Sequence, residues 1–398
     1  MNRLEPRMRI VHVIDHLRSR GGGPAAVAAN LARAQAEAGH TVALCTEHPR
    51  ADEPEFSTGR HTDVRRFRND GLLPALRGRH DAQGVVAQAL DDLRADVLHL
   101  HGLWEPALLA AASAARQRRI PIAANTHGML DEYAMRVKPV KKAIAYQLIY
   151  RKHAMSTSLL LANSQREADA MIARGLGARV AVIPNGVELE ALDVERQRGA
   201  FRRAHPELGE DPYVLFLSRL DPIKGLDIIV RAFAILHQRG VNARLVVAGS
   251  DWGAEAPLRE AARSLGVEDR VHLVGPLYGD EKKAAFADCY CFALASIVET
   301  FGIVIAESLA AGRPVVITNT CHLDTIEPNR VGVVTERTPE AFADGLASVF
   351  ADPAEADRMG ERGKELVRTR YTWPAVVQAC DAEYRAHGIT ERNSCSRS

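Results

Sequence analysis

Short β-branched runs alternate with amphipathic stretches along the chain. The first series opens with MRIVHVI and continues through TVALCT, DVLHLH, IPIAAN and SLLLAN, and a second series opens with YVLFLS near residue 213. Strands that alternate with helices form parallel sheets with helices on both faces. The pattern therefore predicts an α/β protein built from doubly wound, Rossmann-like parallel sheets.

A chain of 398 residues is too long for one ordinary core, so we expect two domains. The alternation stops after RVAVIPNGVE, where a charged stretch precedes the second series of strands. We place the first domain at 1–190, the second at 191–372, and a C-terminal helix with a tail at 373–398. Two facing domains of this kind would enclose a cleft, the usual place for a ligand.

Charge and cysteine content argue against several classes of protein. Lys and Arg total 51 against 50 Asp and Glu, so a nucleic-acid partner is not expected. The six cysteines lack zinc-type spacing, no secretory leader precedes the first strand, and no apolar run reaches 18 residues. We therefore expect a reduced, cytoplasmic protein without a membrane span.

Two carboxylates lie within ETFGIVIAESLAAGRPVVIT: Glu299 at the end of a strand and Glu307 in the next helix. If that helix starts near Thr300, they differ by roughly 12 Å of rise and ~80°. A glycosidase pair lies about 5–9.5 Å apart across one bond, so this spacing favours the two ends of an elongated ligand. The amides from Thr300 to Ile303 would meet a diphosphate at the positive helix end, where Gly302 permits close approach.

The sequence SRLDPIKG places Arg219 and Lys224 directly after the strand YVLFLS. Open α/β sheets bind ligands at the carboxyl ends of their strands, so both cations would lie at the binding edge. Together they would stabilise the charge that develops on a leaving phosphate. No Asp-any-Asp element offers a divalent-ion site at a strand end, so we expect no metal requirement and no cofactor.

Taken singly, these residues would be ordinary surface charges. In spacing and order across 218–316, however, SRLDPIKG, ETFGIVIAE and AAGRPVV resemble the donor-binding signature of glycosyltransferase family 4, the retaining glycosyl transferases group 1 with the GT-B fold. The resemblance implies that Arg219 and Lys224 hold the donor diphosphate. It also implies that Glu299 contacts the sugar and that Glu307 binds the ribose. The implied donor-binding residues are Arg219, Lys224, Thr300, Phe301, Gly302, Ile303, Glu307, Gly22 and Gly23.

The first half resembles the same family in three further segments. RSRGGGPAAVAANLA is similar to its glycine-rich loop, with Gly22 and Gly23 near donor or acceptor, although Ala25 and Ala26 stand where many relatives place a Glu. His127 in NTHGML follows a strand, and relatives have a sugar-contacting His near here; a structural histidine is the alternative. YTWPAVVQACDAEYRAHG resembles the final helix that crosses back to the first domain.

His99 and His101 alternate on one face of a strand, as two metal ligands would, but no third ligand is evident in the sequence. The string HLHGLW resembles a family segment that lies near the cleft without holding metal. We therefore expect packing or acceptor contacts here, with His101 and Trp104 as the acceptor-side candidates.

A basic segment without carboxylates runs from Tyr133 to Arg166, around a helix beginning near Pro139. Its apolar stripe is expected to pack on the domain, while the cations of 136–152 face solvent or anionic lipid headgroups. A solvated basic face and RNA binding are the alternatives. The stripe consists of Val140, Ile144, Ala145, Leu148 and Ile149, and the cations are Arg136, Lys138, Lys141, Lys142, Arg151, Lys152 and Arg166.

The resemblance implies a retaining, metal-independent, hexosyltransferase-type enzyme. It would transfer a sugar from a nucleotide diphosphate sugar to a glycan or lipid-linked acceptor, in cell-surface polysaccharide biosynthesis at the inner face of the membrane. In this family retention is explained by front-face attack without a protein nucleophile. The alternatives are another GT-B activity, such as an epimerase, and a catalytically silent nucleotide-sugar-binding or scaffold protein. The catalytic candidates are Glu299, His127, Arg219 and Lys224.

Overall fold

The computed structural model describes six stretches of the chain, namely residues 7–18, 23–49, 53–68, 78–136, 139–188 and 194–391. Contacts divide the chain into two compact units. The first unit joins Met1–Gly186 to Trp373–Ser398, and the second is Val187–Thr372. The predicted boundary at residue 190 lies outside the described residues.

The first unit is built on a seven-stranded parallel sheet in the order β3-β2-β1-β4-β5-β6-β7. Its strands are β1 (Arg9–Val13), β2 (Thr41–Glu47), β3 (Thr62–Phe67), β4 (Val97–His101), β5 (Ile122–Asn125), β6 (Leu159–Ala162) and β7 (Val180–Val182). Its helices up to residue 186 are α1 (Gly23–Glu37), α2 (Gly78–Leu93), α3 (Pro106–Gln117), α4 (Glu132–Arg136), α5 (Pro139–Ala145), α6 (Arg151–Met155) and α7 (Gln165–Ile172).

The second unit carries a six-stranded parallel sheet in the order β10-β9-β8-β11-β12-β13. Its strands are β8 (Tyr213–Leu217), β9 (Arg244–Ala248), β10 (Val271–Gly275), β11 (Cys291–Leu294), β12 (Val315–Thr318) and β13 (Gly332–Thr335). Its helices are α8 (Ala200–Ala204), α9 (Leu226–Gln238), α10 (Glu255–Ser264), α11 (Gly279–Asp288), α12 (Ile303–Ala310), α13 (Ile326–Asn329), α14 (Pro339–Ala351) and α15 (Pro353–Arg370), and α16 (Trp373–Ala386) then belongs to the first unit.

Both sheets repeat the strand order 3-2-1-4-5-6 of doubly wound folds. The chain direction across the sheet reverses between β1 and β4 in the first unit and between β8 and β11 in the second. Loops that leave the two strands at such a switch point diverge, which opens a crevice at their carboxyl ends. The predicted α/β class with two doubly wound sheets is confirmed.

The central strands are buried on both faces, as continuous apolar runs in parallel sheets should be. The strand β3 was not indicated by the sequence, because TDVRRF is polar and lies at the sheet edge, where only one side of the strand pairs. No helix in the described ranges combines the length and the apolar character needed to cross a membrane.

The basic helical segment departs from its prediction. Four of the five apolar side chains of its stripe are exposed, with Val140 72% exposed, Ile144 55%, Leu148 76% and Ile149 50%, and only Ala145 of the five packs against the core. No side chain of α5 is buried, and a π-turn between α5 and α6, Tyr146–Tyr150, adds a residue to the turn and changes which of the following side chains face inward. Tyr146 and Tyr150 are buried instead. The expectation of an inward-facing stripe is therefore wrong for Val140, Ile144, Leu148 and Ile149 and holds for Ala145. Lys138 lies outside the described residues.

Candidate functional site

The loop after β8 is shaped by a capped turn and a glycine. The carboxylate of Asp221 accepts a hydrogen bond from the Ile223 amide at 3.1 Å, and Gly225 adopts a left-handed conformation with φ of +73°. A Cβ at Gly225 would overlap the carbonyl oxygen of Ala295, which follows β11. Only glycine therefore allows this loop to pack directly against the end of the neighbouring strand.

This close approach joins Lys224 to Glu299 in an ion pair between Nζ and Oε1. Each side chain is 14% exposed. The Oε1 atom of Glu299 also accepts a hydrogen bond from Ser296 Oγ at 3.0 Å, and the Glu299 amide donates to the Thr320 carbonyl at 3.4 Å. The pair thus holds an ammonium and a carboxylate in fixed positions at the β8–β11 switch point.

The helix α12 begins at Ile303, with Gly302 as its N-cap at φ of +68°. The predicted start near Thr300 is therefore wrong, and Glu299 lies in the preceding loop, so the sequence-based spacing of roughly 12 Å and ~80° does not apply. The first amides of a helix have no intrahelical acceptor, so this end of α12 can bind an anion through its N–H groups. Phe301 is buried and packs edge-on against Tyr371, so only its backbone can meet a ligand.

Glu307 lies on α12 and forms a second ion pair, 2.6 Å from Lys282 Nζ on α11. Sequence reasoning missed Lys282. Its position in YGDEKK offered no signal, because nothing in that string connects it to Glu307.

Arg219 lies with its guanidinium over the indole ring of Trp252, 4.8 Å from the ring centre. Trp252 is itself more than half exposed. A cation held against an aromatic face keeps the N–H donors in its own plane available to an anion. Arg219 is thus positioned by an aromatic contact that the sequence did not predict.

In the first unit, His127 follows β5 in a left-handed conformation with φ of +50°. Its loop is held by Glu167, a buried carboxylate that accepts hydrogen bonds from Thr126 Oγ1 at 2.7 Å and from the Gly128 amide. Burial raises the pKa of Glu167. The pattern Ser164-x-x-Glu167 is a capping-box signature, and it would have indicated that Glu167 bonds to backbone amides near the start of α7.

His101 and His99 on β4 meet His12, which is the register partner of His99 on β1. The three imidazoles offer nitrogen atoms within 4.8 Å of one another, so a third candidate ligand exists after all. The rings of His99 and His101 stack, however, with planes 1° apart and centres 4.6 Å apart. An imidazole binds a metal in the plane of its ring, so parallel stacked rings do not aim at a shared ion, and the cluster is better described as hydrogen-bonded packing.

The remaining candidates are less suited to ligand contact. Trp104 packs edge-on against Tyr150, and its carbonyl accepts the hydrogen bond of the Tyr150 hydroxyl. Gly23 opens α1 with no heavy atom near its absent Cβ, and Gly22 lies outside the described residues.

Comparison with known proteins identifies the family. Residues 197–366 match glycosyl transferases group 1, and residues 21–191 match glycosyltransferase family 4. A GDP-mannose-dependent α-(1-6)-phosphatidylinositol monomannoside mannosyltransferase of Mycobacterium tuberculosis is 30% identical over 286 residues, which cover 69% of this chain and 72% of the relative. A GDP-mannose:cellobiosyl-diphosphopolyprenol α-mannosyltransferase of Xanthomonas campestris is 27% identical, covering 95% and 97%.

Among solved structures, Anabaena HepE in complex with UDP-glucose superposes with a TM-score of 0.74 at 21% identity, covering 96% of this chain and 100% of that one. The two strand orders and this similarity define the GT-B fold. The chain belongs to the group 1 glycosyltransferases of family 4.

Proposed function

We propose that this glycosyltransferase moves a sugar from a nucleotide diphosphate sugar to a lipid-linked or glycan acceptor in polysaccharide assembly, with retention and without a metal ion. The observation that carries the proposal is the Lys224–Glu299 pair beside the N-terminus of α12, at the switch point of the second sheet. An ammonium and a helix end favour the diphosphate, and a carboxylate next to them favours the hydroxyl groups of the attached sugar.

In the proposed reaction the bond between the anomeric carbon and the phosphate oxygen breaks, and the acceptor oxygen bonds to that carbon from the same face. The acceptor oxygen is itself the nucleophile, and its proton passes to the leaving phosphate, so the step needs neither a protein nucleophile nor a protein base. Lys224 and the amides of α12 stabilise the charge on the departing diphosphate, and Arg219 adds a guanidinium on the same side of the sheet. These cations and amides would neutralise the departing diphosphate, as a divalent ion does in metal-dependent enzymes. This supports the proposal that the reaction needs no metal ion.

Named relatives guide the choice of donor and acceptor. The names of the relatives from M. tuberculosis and X. campestris both contain GDP-mannose, and the acceptors in those names are a phosphatidylinositol monomannoside and a cellobiosyl-diphosphopolyprenol. GDP-mannose is therefore the first donor to test and a polyprenyl-diphosphate glycan the first acceptor. UDP-glucose, which HepE binds, is the second donor.

A thermal-shift measurement tests the donor site. With a chelator present, we expect one of GDP, UDP or ADP to raise the melting temperature, because mass action stabilises the state that binds. The shift should be lost in Lys224→Met, whose side chain has similar length without the charge. A shift that requires a divalent ion contradicts metal independence. No shift with any nucleotide or nucleotide sugar, together with no transfer, favours the catalytically silent scaffold, whereas a shift without transfer favours a silent nucleotide-sugar-binding protein.

The role of Glu307 is tested by replacing it with alanine. We propose that its carboxylate accepts hydrogen bonds from the ribose hydroxyls, a class of bond that contributes about 1.5–3 kcal/mol. Glu307→Ala should therefore raise the donor KM by about ten- to a hundredfold with kcat nearly unchanged. Glu281→Ala, which removes an exposed carboxylate on α11, is the matched control. A fall in kcat at constant KM would assign Glu307 to the chemical step instead.

The exposed apolar side chains of the segment Pro139–Met155 support contact with a membrane surface. Val140, Ile144, Leu148 and Ile149 stand beside exposed cations that include Lys141 and Lys152. A face that combines apolar anchors with cations suits the interface of an anionic bilayer. We propose that this segment, which overlaps the predicted range 136–152, places the enzyme at its lipid-linked acceptor.

Vesicle binding by Leu148→Glu tests this contact. Burial of one Leu side chain contributes about 1.5–3 kcal/mol, so we expect affinity for phosphatidylglycerol vesicles to fall about tenfold or more. Ile172→Glu changes an equally apolar, half-exposed residue on α7 and should leave binding unaltered. Equal losses in both variants, or no binding by the unaltered chain, would contradict the proposed contact.

A further inference from the structure

A chain of side-chain hydrogen bonds leads from Gln35 on α1 to His127 at the end of β5. The Oε1 atom of Gln35 lies 2.7 Å from His12 Nε2, His12 Nδ1 lies 3.0 Å from His101 Nε2, and His101 Nδ1 lies 3.3 Å from His127 Nε2. Gln35, His12 and His101 are buried, whereas His127 is partly exposed. The chain therefore connects a closed interior to the edge of the sheet.

The histidines of this chain are neutral. Burial lowers the pKa of His12 to about 4 and that of His127 to about 3, and it lowers the pKa of His101 well below its usual range. A neutral imidazole has one N–H donor and one bare nitrogen that accepts. Each ring therefore donates a hydrogen bond to one neighbour and accepts one from the other. All hydrogen bonds from Gln35 to His127 must then run in the same direction.

We propose that the amide oxygen of Gln35 fixes the tautomer of His127 through His12 and His101. An oxygen can only accept, so His12 donates from Nε2 and its Nδ1 is bare. His101 then donates from Nε2 to that nitrogen, and its own Nδ1 accepts from His127 Nε2. The Nδ1 atom of His127 is left unprotonated, as an acceptor.

This tautomer determines what His127 can recognise. On the proposed function, a bare Nδ1 at the carboxyl edge of the first sheet accepts a hydrogen bond from a hydroxyl of the donor sugar or the acceptor. A protonated Nδ1 would instead donate to the oxygen of that hydroxyl and could not accept its hydrogen, so the tautomer sets the direction of this hydrogen bond. Gln35, His12 and His101 are thus positioning residues, which act on the substrate only through His127.

His99 belongs to the same cluster but not to the chain. Its Nδ1 pairs with the Tyr384 hydroxyl at 2.6 Å, and its ring stacks on those of both His12 and His101. It packs against the neighbouring rings without determining which of their nitrogen atoms is protonated. The Tyr384 hydroxyl also hydrogen-bonds the Gln35 side chain, so the matched control is His99→Phe, which keeps an aromatic ring in the stack and removes no donor or acceptor of the chain from Gln35 to His127.

The test is the tautomer of His127, measured by long-range nitrogen–proton NMR on protein labelled with ¹⁵N-histidine, with the His127 signals assigned by their loss in His127→Asn. In the unaltered protein we expect the Nδ1 signal in the unprotonated range. In Gln35→Met the oxygen is replaced by an apolar group of similar size. A buried N–H without an acceptor is disfavoured, so the chain should reverse and the His127 Nδ1 signal should move to the protonated range. His12→Phe breaks the chain while keeping a stacked ring, and should mix the two tautomers.

Activity provides a second measurement. Gln35→Met should lower kcat/KM for transfer about tenfold, the loss of one hydrogen bond to substrate, with the affinity for free nucleotide unchanged, and His99→Phe should alter neither the His127 tautomer nor specificity. Any of three results would overturn the proposal. The first is a protonated His127 Nδ1 in the unaltered protein, and the second is an unchanged His127 tautomer in both Gln35→Met and His12→Phe. The third is loss of the imidazole signals on addition of zinc. If the expected tautomers are found but the protein transfers no sugar, the proposed function is refuted and the proposed chain of hydrogen bonds is supported.

Discussion

Lys224→Met is expected to lower kcat for sugar transfer by about 10²- to 10³-fold, the effect of removing one group that stabilises a developing oxyanion. The ammonium of Lys224 is mostly buried beside Glu299, so a diphosphate at the end of α12 would meet a charge that water screens poorly. Loss of the charge also leaves the Glu299 carboxylate without its cation. Initial rates at saturating donor measure the effect.

Two comparisons separate this result from a loss of folding. Lys283→Met, on α11, removes a cation that pairs with the exposed Asp280 at 3.5 Å, and it should retain nearly full activity. Glu299→Gln keeps the shape of its side chain and should lose activity to an extent comparable with Lys224→Met. If Lys224→Met and Lys283→Met had the same kcat, the assignment of the leaving-group site would be wrong.

Gly225→Ala should destabilise the second unit by about 3 kcal/mol and abolish nucleotide binding. A non-glycine residue at φ of +73° is strained, and the added Cβ would also overlap the backbone oxygen of Ala295. The loop that carries Lys224 must then move away from β11. Thermal or urea unfolding measures the first effect, and calorimetric titration with the nucleotide measures the second.

Gly240→Ala is the matched comparison for strain alone. Gly240 has φ of +86° after α9, and no heavy atom lies within 4 Å of its absent Cβ. We expect a loss of about 1 kcal/mol with nucleotide affinity retained. Equal destabilisation in the two variants would show that conformational strain, and not the contact with β11, determines the effect at Gly225.

The fold could be predicted from sequence because its signal is local. Apolar runs such as YVLFLS and RLVVA are long enough to mark buried strands, and the glycines and proline between them mark the turns. The family signature likewise brought Lys224 and Glu299 to one sheet edge, where the structure joins them. The polar edge strand β3 was not predicted, because a strand that pairs on one side only can be stable without an apolar run.

The partners of the site residues could not be predicted, because they depend on distant side chains. Nothing near Glu307 in sequence points to Lys282, and His12 reaches His99 only through the pairing of β1 with β4. The prediction that the apolar stripe faces inward was wrong for a different reason. A strict 3.6-residue period cannot anticipate the π-turn at Tyr146–Tyr150, which changes the side chains that face inward after it, and it does not tell which face of α5 meets the core, where Val140 and Ile144 are exposed.

The discontinuous first unit has a consequence for biosynthesis. Its last helix, α16, supplies Asp381 to His40 at 3.1 Å and Tyr384 to His99, yet it emerges from the ribosome only after the whole second unit. Residues 187–372 form one uninterrupted stretch and can complete their core during translation, whereas residues 1–186 must wait for the end of the chain. A nascent chain stalled before residue 373 would therefore hold a finished second unit and a first unit still open at His40 and His99.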